Sequence, residues 1–138
     1  MSQNNRQIFD PVRKKRVAAT PEERVRQNLI GYLNAECGAP LGLMSCEYSF
    51  EINGNKYRSD LVVFNSSGKP LLLAECKAPK VTISKEVFDQ IFTYNYHLKV
   101  GYLLLTNGKS TYCAKIDTIT GQTTFLSSIP KYNELSEQ

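Results

Sequence analysis

The sequence lacks the residue patterns of several common functional sites. It has no tryptophan and one histidine, His97, and no two of its four cysteines have the CxxC spacing of a structural zinc site. We therefore expect four reduced thiols that pack as small apolar residues. No apolar run approaches the roughly 20 residues that span a bilayer. The polar N-terminus has no secretory signal, so we expect a cytoplasmic protein without membrane contacts.

The positive charge of the chain is concentrated near its N-terminus. The net charge is +4, and among residues 1–20 the only acidic residue is Asp10. Residues 1–19 lack apolar periodicity, which predicts a flexible basic arm, followed by one domain over residues 20–138. A solvated tail is the alternative to a nucleic-acid contact. The candidate phosphate-binding residues of the arm are Arg13, Lys14, Lys15 and Arg16.

The order of predicted elements indicates an α/β fold. Thr20 and Pro21 are typical of a helix start, and that helix should end near Cys37. A second helix is expected from Ser84 to about Leu98. Because this second helix joins two apolar strands, those strands should be parallel neighbours in a mixed sheet with a helix on each face. Strands are expected at residues 44–52, 56–64, 70–76, 100–106, 110–116 and around 122–126.

Two acidic residues and a lysine interrupt strands that are otherwise apolar. Glu75 and Lys77 are two residues apart and should project from one face, and Asp60 lies in the preceding antiparallel strand. Charges there are costly to bury unless they are paired or bind a metal. Two converging carboxylates suit a hard cation such as Mg²⁺. Spacing alone favours a structural alternative, in which Glu75 pairs with Lys77 and backbone amides satisfy Asp60.

The motifs around these residues resemble the PD-(D/E)xK nuclease superfamily. Residues 58–63 (RSDLVV) and 72–79 (LLAECKAP) are similar to its active-site core, particularly that of the N-terminal nuclease domain of type I restriction enzyme R subunits. Residues 21–27 (PEERVRQ) are similar to the opening helix of that domain, and residues 90–94 (QIFTY) match its QxxxY element. The resemblance implies a restriction-endonuclease-like three-layer sandwich, although Ser59 replaces the proline that names the motif.

The resemblance also implies an activity and a metal site. It indicates a magnesium-dependent endonuclease that hydrolyses DNA phosphodiester bonds, with Mn²⁺ as an alternative ion. Asp60 and Glu75 would bind the metal, and the backbone carbonyl of Cys76 would complete the protein ligands. Lys77 would be the catalytic lysine, which holds the scissile phosphate or polarises the attacking water.

The two predicted helices supply further candidate residues. Gln90 and Tyr94 have the i, i+4 spacing of one helix face and would line the site. The acidic residue of the opening helix is Glu22 or Glu23. Glu23 is favoured because it shares a face with Gln27, but ordinary first-turn charge complementarity explains both residues equally well.

The resemblance to the R subunits covers only their first domain, so we do not expect this chain to be an ATP-driven motor. Residues 108–111 (GKST) resemble the end of a P-loop, but Leu103 stands at the position of its first glycine, so we expect no ATP-binding site. DNA is the expected partner, together with other restriction-system subunits. The alternative function is a non-cleaving DNA-binding or assembly module with a vestigial site. No base-reading motif distinguishes DNA from RNA.

Overall fold

A six-stranded mixed sheet forms the centre of the computed structural model, which describes residues 6–136. The strands lie in the sheet in the order of the chain, and each neighbouring pair is antiparallel except the third and fourth of the six, which are parallel. The predicted mixed α/β sheet with one parallel crossover is therefore confirmed. Its strands are β3 (Met44–Ile52), β4 (Asn55–Phe64), β5 (Pro70–Cys76), β6 (Tyr102–Thr106), β7 (Thr111–Ile116) and β8 (Thr123–Leu126).

Helices cover both faces of this sheet, as the sequence predicts. Side chains alternate along β4, β5 and β6, so neighbouring residues contribute to two separate apolar cores. Leu61, Leu72 and Leu104 pack on the side of the first helix, whereas Val62 and Leu73 pack on the side of the second. None of the described helices is long and apolar enough to cross a membrane. The helices are α1 (Pro21–Ala35), α2 (Lys85–Ile91), α3 (Asn95–Leu98) and α4 (Tyr132–Leu135), with a 3-10 turn at Leu41–Leu43.

The N-terminal cap of α1 and the turn between β3 and β4 have the local chemistry that the sequence predicts. The hydroxyl of Thr20 accepts a hydrogen bond from the amide of Glu23 at 3.1 Å, which caps α1. Between β3 and β4, Asn53 and Gly54 have φ values of 53° and 83° and connect the paired residues Ile52 and Asn55. Two positive φ values are those of the two-residue turns that match the twist of a hairpin. The predicted hairpin is therefore confirmed.

The prediction of a flexible arm over residues 1–19 is wrong for the part that the structure describes. Strands β1 (Gln7–Asp10) and β2 (Lys15–Ala18) form an antiparallel hairpin. Asp10 is fully buried, and its carboxylate accepts hydrogen bonds from the Val12 amide at 2.8 Å and from the Arg13 side chain. Apolar periodicity does not reveal this hairpin because polar contacts hold its turn. Residues 1–5 lie outside the described residues.

The second helix is shorter than predicted. Ser84 caps α2 by accepting a hydrogen bond from the Val87 amide at 3.2 Å, but the helix ends at Ile91 and α3 begins at Asn95. The Thr93 hydroxyl donates to the carbonyl oxygen of Asp89 at 2.9 Å, a contact that competes with regular helix geometry. Tyr94 therefore lies in a turn rather than on the same continuous helix as Gln90.

Candidate functional site

Asp60 and Glu75 lie side by side where β4 and β5 separate. The pairing of these strands reaches Leu61 opposite Ala74, so the next pair in the same register is Asp60 opposite Glu75. Oδ2 of Asp60 accepts a hydrogen bond from the Cys76 amide at 2.7 Å. Burial, together with the neighbouring Asp60 carboxylate, raises the pKa of Glu75 to about 8. The two carboxylates that the sequence predicts to converge are thus adjacent in the structure.

Two further predicted residues, Tyr94 in the turn between α2 and α3 and Gln90 in α2, lie around the same site as Glu75. The Tyr94 hydroxyl donates a hydrogen bond to Oε2 of Glu75 at 3.1 Å. Glu75, Tyr94 and Gln90 line a single open cavity of about 550 Å³. The interruption of the predicted helix therefore does not separate Gln90 from Tyr94, because both side chains still reach the same cavity.

Lys77 follows the last residue of β5. Its amide donates to the carbonyl oxygen of Thr106 at 2.9 Å, which extends the parallel pairing beyond Cys76. Strand alternation then places its side chain on the same face as Glu75. The ion pair between Glu75 and Lys77 that a structural alternative requires is absent from residues 6–136. Lys77, a half-buried residue, is therefore not neutralised by its nearest acidic neighbour along the strand.

Glu23 lies in a separate ion-pair network rather than in the carboxylate pair. Arg26 Nη2 donates to its Oε1 at 2.8 Å, and Arg13 Nη2 donates to its Oε2 at 2.7 Å. Burial alone would raise the pKa of Glu23, but these hydrogen bonds, with a third from Gln27, lower it to about 2. Both oxygens are engaged by cations, so the structure does not bring Glu23 to a metal position. Glu22 is exposed.

Arg26 connects this network to Asp60, and the sequence interpretation missed it. Its Nη1 donates to the backbone oxygen of Asp60 at 3.1 Å and lies 4.0 Å from Oδ1 of the same residue. Burial would lower the pKa of Arg26, but the hydrogen bond to Glu23 raises it, so the guanidinium stays charged. The i, i+3 spacing of Glu23 and Arg26 is a helical ion-pair signal that could have identified it.

The four basic residues predicted to contact phosphate have different environments. Arg13 is partly buried and is bound to Asp10, Glu23 and, at 3.4 Å, to Oε1 of Glu47. These contacts engage the guanidinium group of Arg13 and hold the N-terminal hairpin against α1. The remaining three residues are exposed on the hairpin: Lys14, Lys15 and Arg16.

The donor set at the strand ends consists of hard oxygen atoms. Within the part of the chain that the structure describes, no three His, Cys, Asp or Glu side chains are arranged to hold a metal ion. Asp60 and Glu75 supply two carboxylates, and the backbone of Cys76 lies beside them through its hydrogen bond to Asp60. Mg²⁺ keeps several of its waters and is commonly held by one or two carboxylates, so this set suits Mg²⁺ better than Zn²⁺.

The raised pKa of Glu75 predicts a pH-dependent effect of its substitution. Glu75 holds its proton more tightly in the folded chain, so metal-free stability should fall as pH rises from 4.5 through about 8. The free energy of unfolding of Glu75→Gln minus that of wild type should rise by roughly 2 kcal/mol between pH 5 and pH 9. This figure includes a discount for the partial exposure of Glu75. Urea denaturation in EDTA measures this gain. The exposed Glu51→Gln control should show none, and parallel curves for wild type and Glu75→Gln would refute the prediction.

Comparison with known proteins relates the chain to restriction enzymes. The sequence profile described as "Type I restriction enzyme R protein N terminus" matches residues 21–130. No curated protein gives a significant match. Among solved structures, a fragment of a proposed HsdR subunit of a type I restriction enzyme from Vibrio vulnificus has a TM-score of 0.54 at 20% identity. That match covers 77% of this chain and only 22% of the Vibrio chain.

A second solved structure has the same fold. A proposed nuclease belonging to DUF820 from Anabaena variabilis has a TM-score of 0.54 at 12% identity, over 91% of this chain and 82% of that chain. At such identities the two structures show a shared fold alone. They agree with the six-stranded mixed sheet and with its covering helices.

Proposed function

Because the chain belongs to the family of type I restriction enzyme R protein N termini, we propose that it is a magnesium-dependent nuclease domain that hydrolyses DNA phosphodiester bonds. The observation that carries the proposal is the adjacent pair of Asp60 and Glu75 at the end of two buried strands. Two adjacent, partly buried carboxylates repel each other without a cation, and a raised carboxyl pKa such as that of Glu75 is typical of functional sites.

Four backbone and side-chain groups would form the centre of the site. Asp60 and Glu75 would hold Mg²⁺, or Mn²⁺ as an alternative, with the Cys76 carbonyl as a third protein oxygen. When bound, the ion would polarise the scissile phosphate and lower the pKa of the attacking water. Lys77, which has no acidic partner among the described residues, can hold a non-bridging phosphate oxygen as negative charge accumulates there.

Neighbouring side chains would position these groups. Tyr94 holds Oε2 of Glu75 through its hydroxyl, which fixes the orientation of that carboxylate. Arg26 donates to the backbone oxygen of Asp60 and lies 4.0 Å from its Oδ1, so it would restrain the second carboxylate. Gln90 is exposed and lines the same cavity, so its amide could donate to a phosphate oxygen.

The proposed substrate and partners follow from the similarity of the chain to a restriction-enzyme subunit. The similar Vibrio chain is a proposed subunit of a type I restriction enzyme, and we propose DNA as the substrate of this chain and other restriction-system subunits as its partners. Three exposed cations of the N-terminal hairpin would add contacts to the DNA backbone that are independent of sequence. These cations are Lys14, Lys15 and Arg16.

A cleavage assay with metal control tests the proposed function. The chain should nick or cut plasmid DNA in MgCl₂ or MnCl₂, and EDTA should abolish the reaction because the phosphate and water then lose their activating cation. Calorimetric titration should detect Mg²⁺ binding to wild type but not to Asp60→Ala. Absence of both cleavage and Mg²⁺ binding would reject the nuclease and favour the non-cleaving DNA-binding or assembly module.

A further inference from the structure

The open cavity beside Glu75 has an aromatic and cationic lining. Its volume of about 550 Å³ lies within the range of pockets that hold small organic ligands. The metal-binding proposal uses only Glu75, Gln90 and Tyr94 of this lining. Further lining residues are Tyr57, Arg58, Tyr96 and His97.

The inner wall of the cavity is held in place by ring contacts. Tyr57 stacks on Phe50 with ring centroids 5.9 Å apart and an interplanar angle of 16°. Tyr57 also contacts Tyr94 at 5.5 Å, and Tyr94 contacts Phe92 at 6.1 Å. Because the Tyr94 hydroxyl is bonded to Glu75, these rings have a fixed position relative to the carboxylate pair. A ligand stacked on this wall would therefore lie at a defined distance from the proposed metal.

The outer wall of the cavity is exposed. Tyr96 is 77% exposed, and it contacts the ring of His97 edge-on at 5.2 Å. Such exposure of a large aromatic ring contributes little to the fold. Arg58 is also exposed and makes no ion pair with any residue between 6 and 136. The cavity thus combines aromatic faces, which stack on bases, with a cation that can bind phosphate.

We propose that this cavity binds one unpaired nucleotide next to the scissile phosphate, so that the preferred substrate is single-stranded DNA or the unpaired strand of a DNA end or junction. This inference rests on the proposed function, which places the scissile phosphate at Asp60 and Glu75. A base within a duplex is covered on both faces by its neighbours. Only an unpaired base can place a face against Tyr57 or Tyr96 inside a cavity.

Equilibrium binding by the full chain tests the inference. The probes are a fluorescent 12-nucleotide phosphorothioate strand, which resists hydrolysis, its blunt duplex, and the RNA strand of the same sequence, all in MgCl₂. We expect the DNA strand to bind at least about tenfold more tightly than the duplex, and Tyr96→Ala to weaken strand binding by about tenfold. Tyr96→Phe should retain binding because it keeps the ring, whereas Arg58→Ala should weaken binding through loss of a phosphate contact.

Tyr32→Ala provides the matched control, because Tyr32 is a 45% exposed tyrosine on α1. It should bind like wild type. Equal or tighter binding of the duplex, tighter binding of the RNA, or unchanged affinity in both Tyr96→Ala and Arg58→Ala would overturn the inference.

Cleavage of the unmodified probes separates this inference from the nuclease proposal. Duplex cleavage that is as fast as strand cleavage, and that is unaffected by Tyr96→Ala, would overturn the nucleotide cavity while leaving the nuclease in place. Strand binding that depends on Tyr96 and Arg58, without cleavage or Mg²⁺ binding by wild type, would support the cavity and reject the nuclease.

Discussion

Replacement of Lys77 by alanine is expected to slow magnesium-dependent DNA cleavage by about 10²–10³-fold while leaving the fold intact. The loss follows from the removal of a positive charge that acts where negative charge accumulates on the phosphate. Stability should change little, because the ammonium of Lys77 forms no ion pair with the described acidic side chains. Single-turnover rates on labelled DNA, together with urea denaturation of the same variant, measure the two effects separately.

Lys109→Ala is the matched control for this result. Lys109 is exposed in the turn between β6 and β7, outside the proposed site, and its replacement should leave the rate unchanged. Asp60→Ala should lose activity as Lys77→Ala does, and the double variant should be little worse than either single variant because the two residues act as a unit. Wild-type rates in both single variants would remove the site assignment.

Replacement of Arg26 by alanine is expected to lower the free energy of unfolding by about 3–5 kcal/mol. Arg26 is 8% exposed and forms two hydrogen bonds to Glu23, which is itself only 6% exposed. Its removal would leave Glu23 with Arg13 as its one remaining cation among the described residues. It would also leave the backbone oxygen of Asp60 without this donor. Urea denaturation at neutral pH measures the loss.

The neighbouring Arg24 provides the control for Arg26. It lies on the same helix but is exposed, so Arg24→Ala should change stability by less than about 0.5 kcal/mol. Arg26→Ala combined with Glu23→Gln should recover part of the loss, because the buried negative charge, then paired with Arg13 alone, is removed. Equal stabilities of Arg24→Ala and Arg26→Ala would show that the network contributes little to the fold.

The features that the sequence predicts well are those with a local physical cause. The bounds of β3 and β5 are as predicted because apolar runs and turn residues delimit them. The adjacency of Asp60 and Glu75 follows from strand alternation and from the short antiparallel connection of their strands. The two buried strands joined by α2 are parallel neighbours, as a helical crossover requires.

The features that the sequence does not reveal depend on polar side-chain contacts that apolar periodicity does not show. The β1–β2 hairpin is held in place by the ion pair between Arg13 and Glu23, which no local pattern indicates. The interruption before α3 coincides with the hydrogen bond from the Thr93 hydroxyl to the carbonyl oxygen of Asp89, which competes with regular helix geometry. The contacts of Arg26 and Arg13 explain why Glu23, a candidate from its helix face, is held by arginines instead of facing Glu75.

The central claim is that the carboxylates of Asp60 and Glu75 bind one divalent cation together, and a crystal of the chain soaked in Mn²⁺ tests it most directly. We expect an anomalous-scattering peak within coordination distance of one oxygen from each carboxylate. A peak that contacts only other residues, or no peak at saturating Mn²⁺, would contradict it.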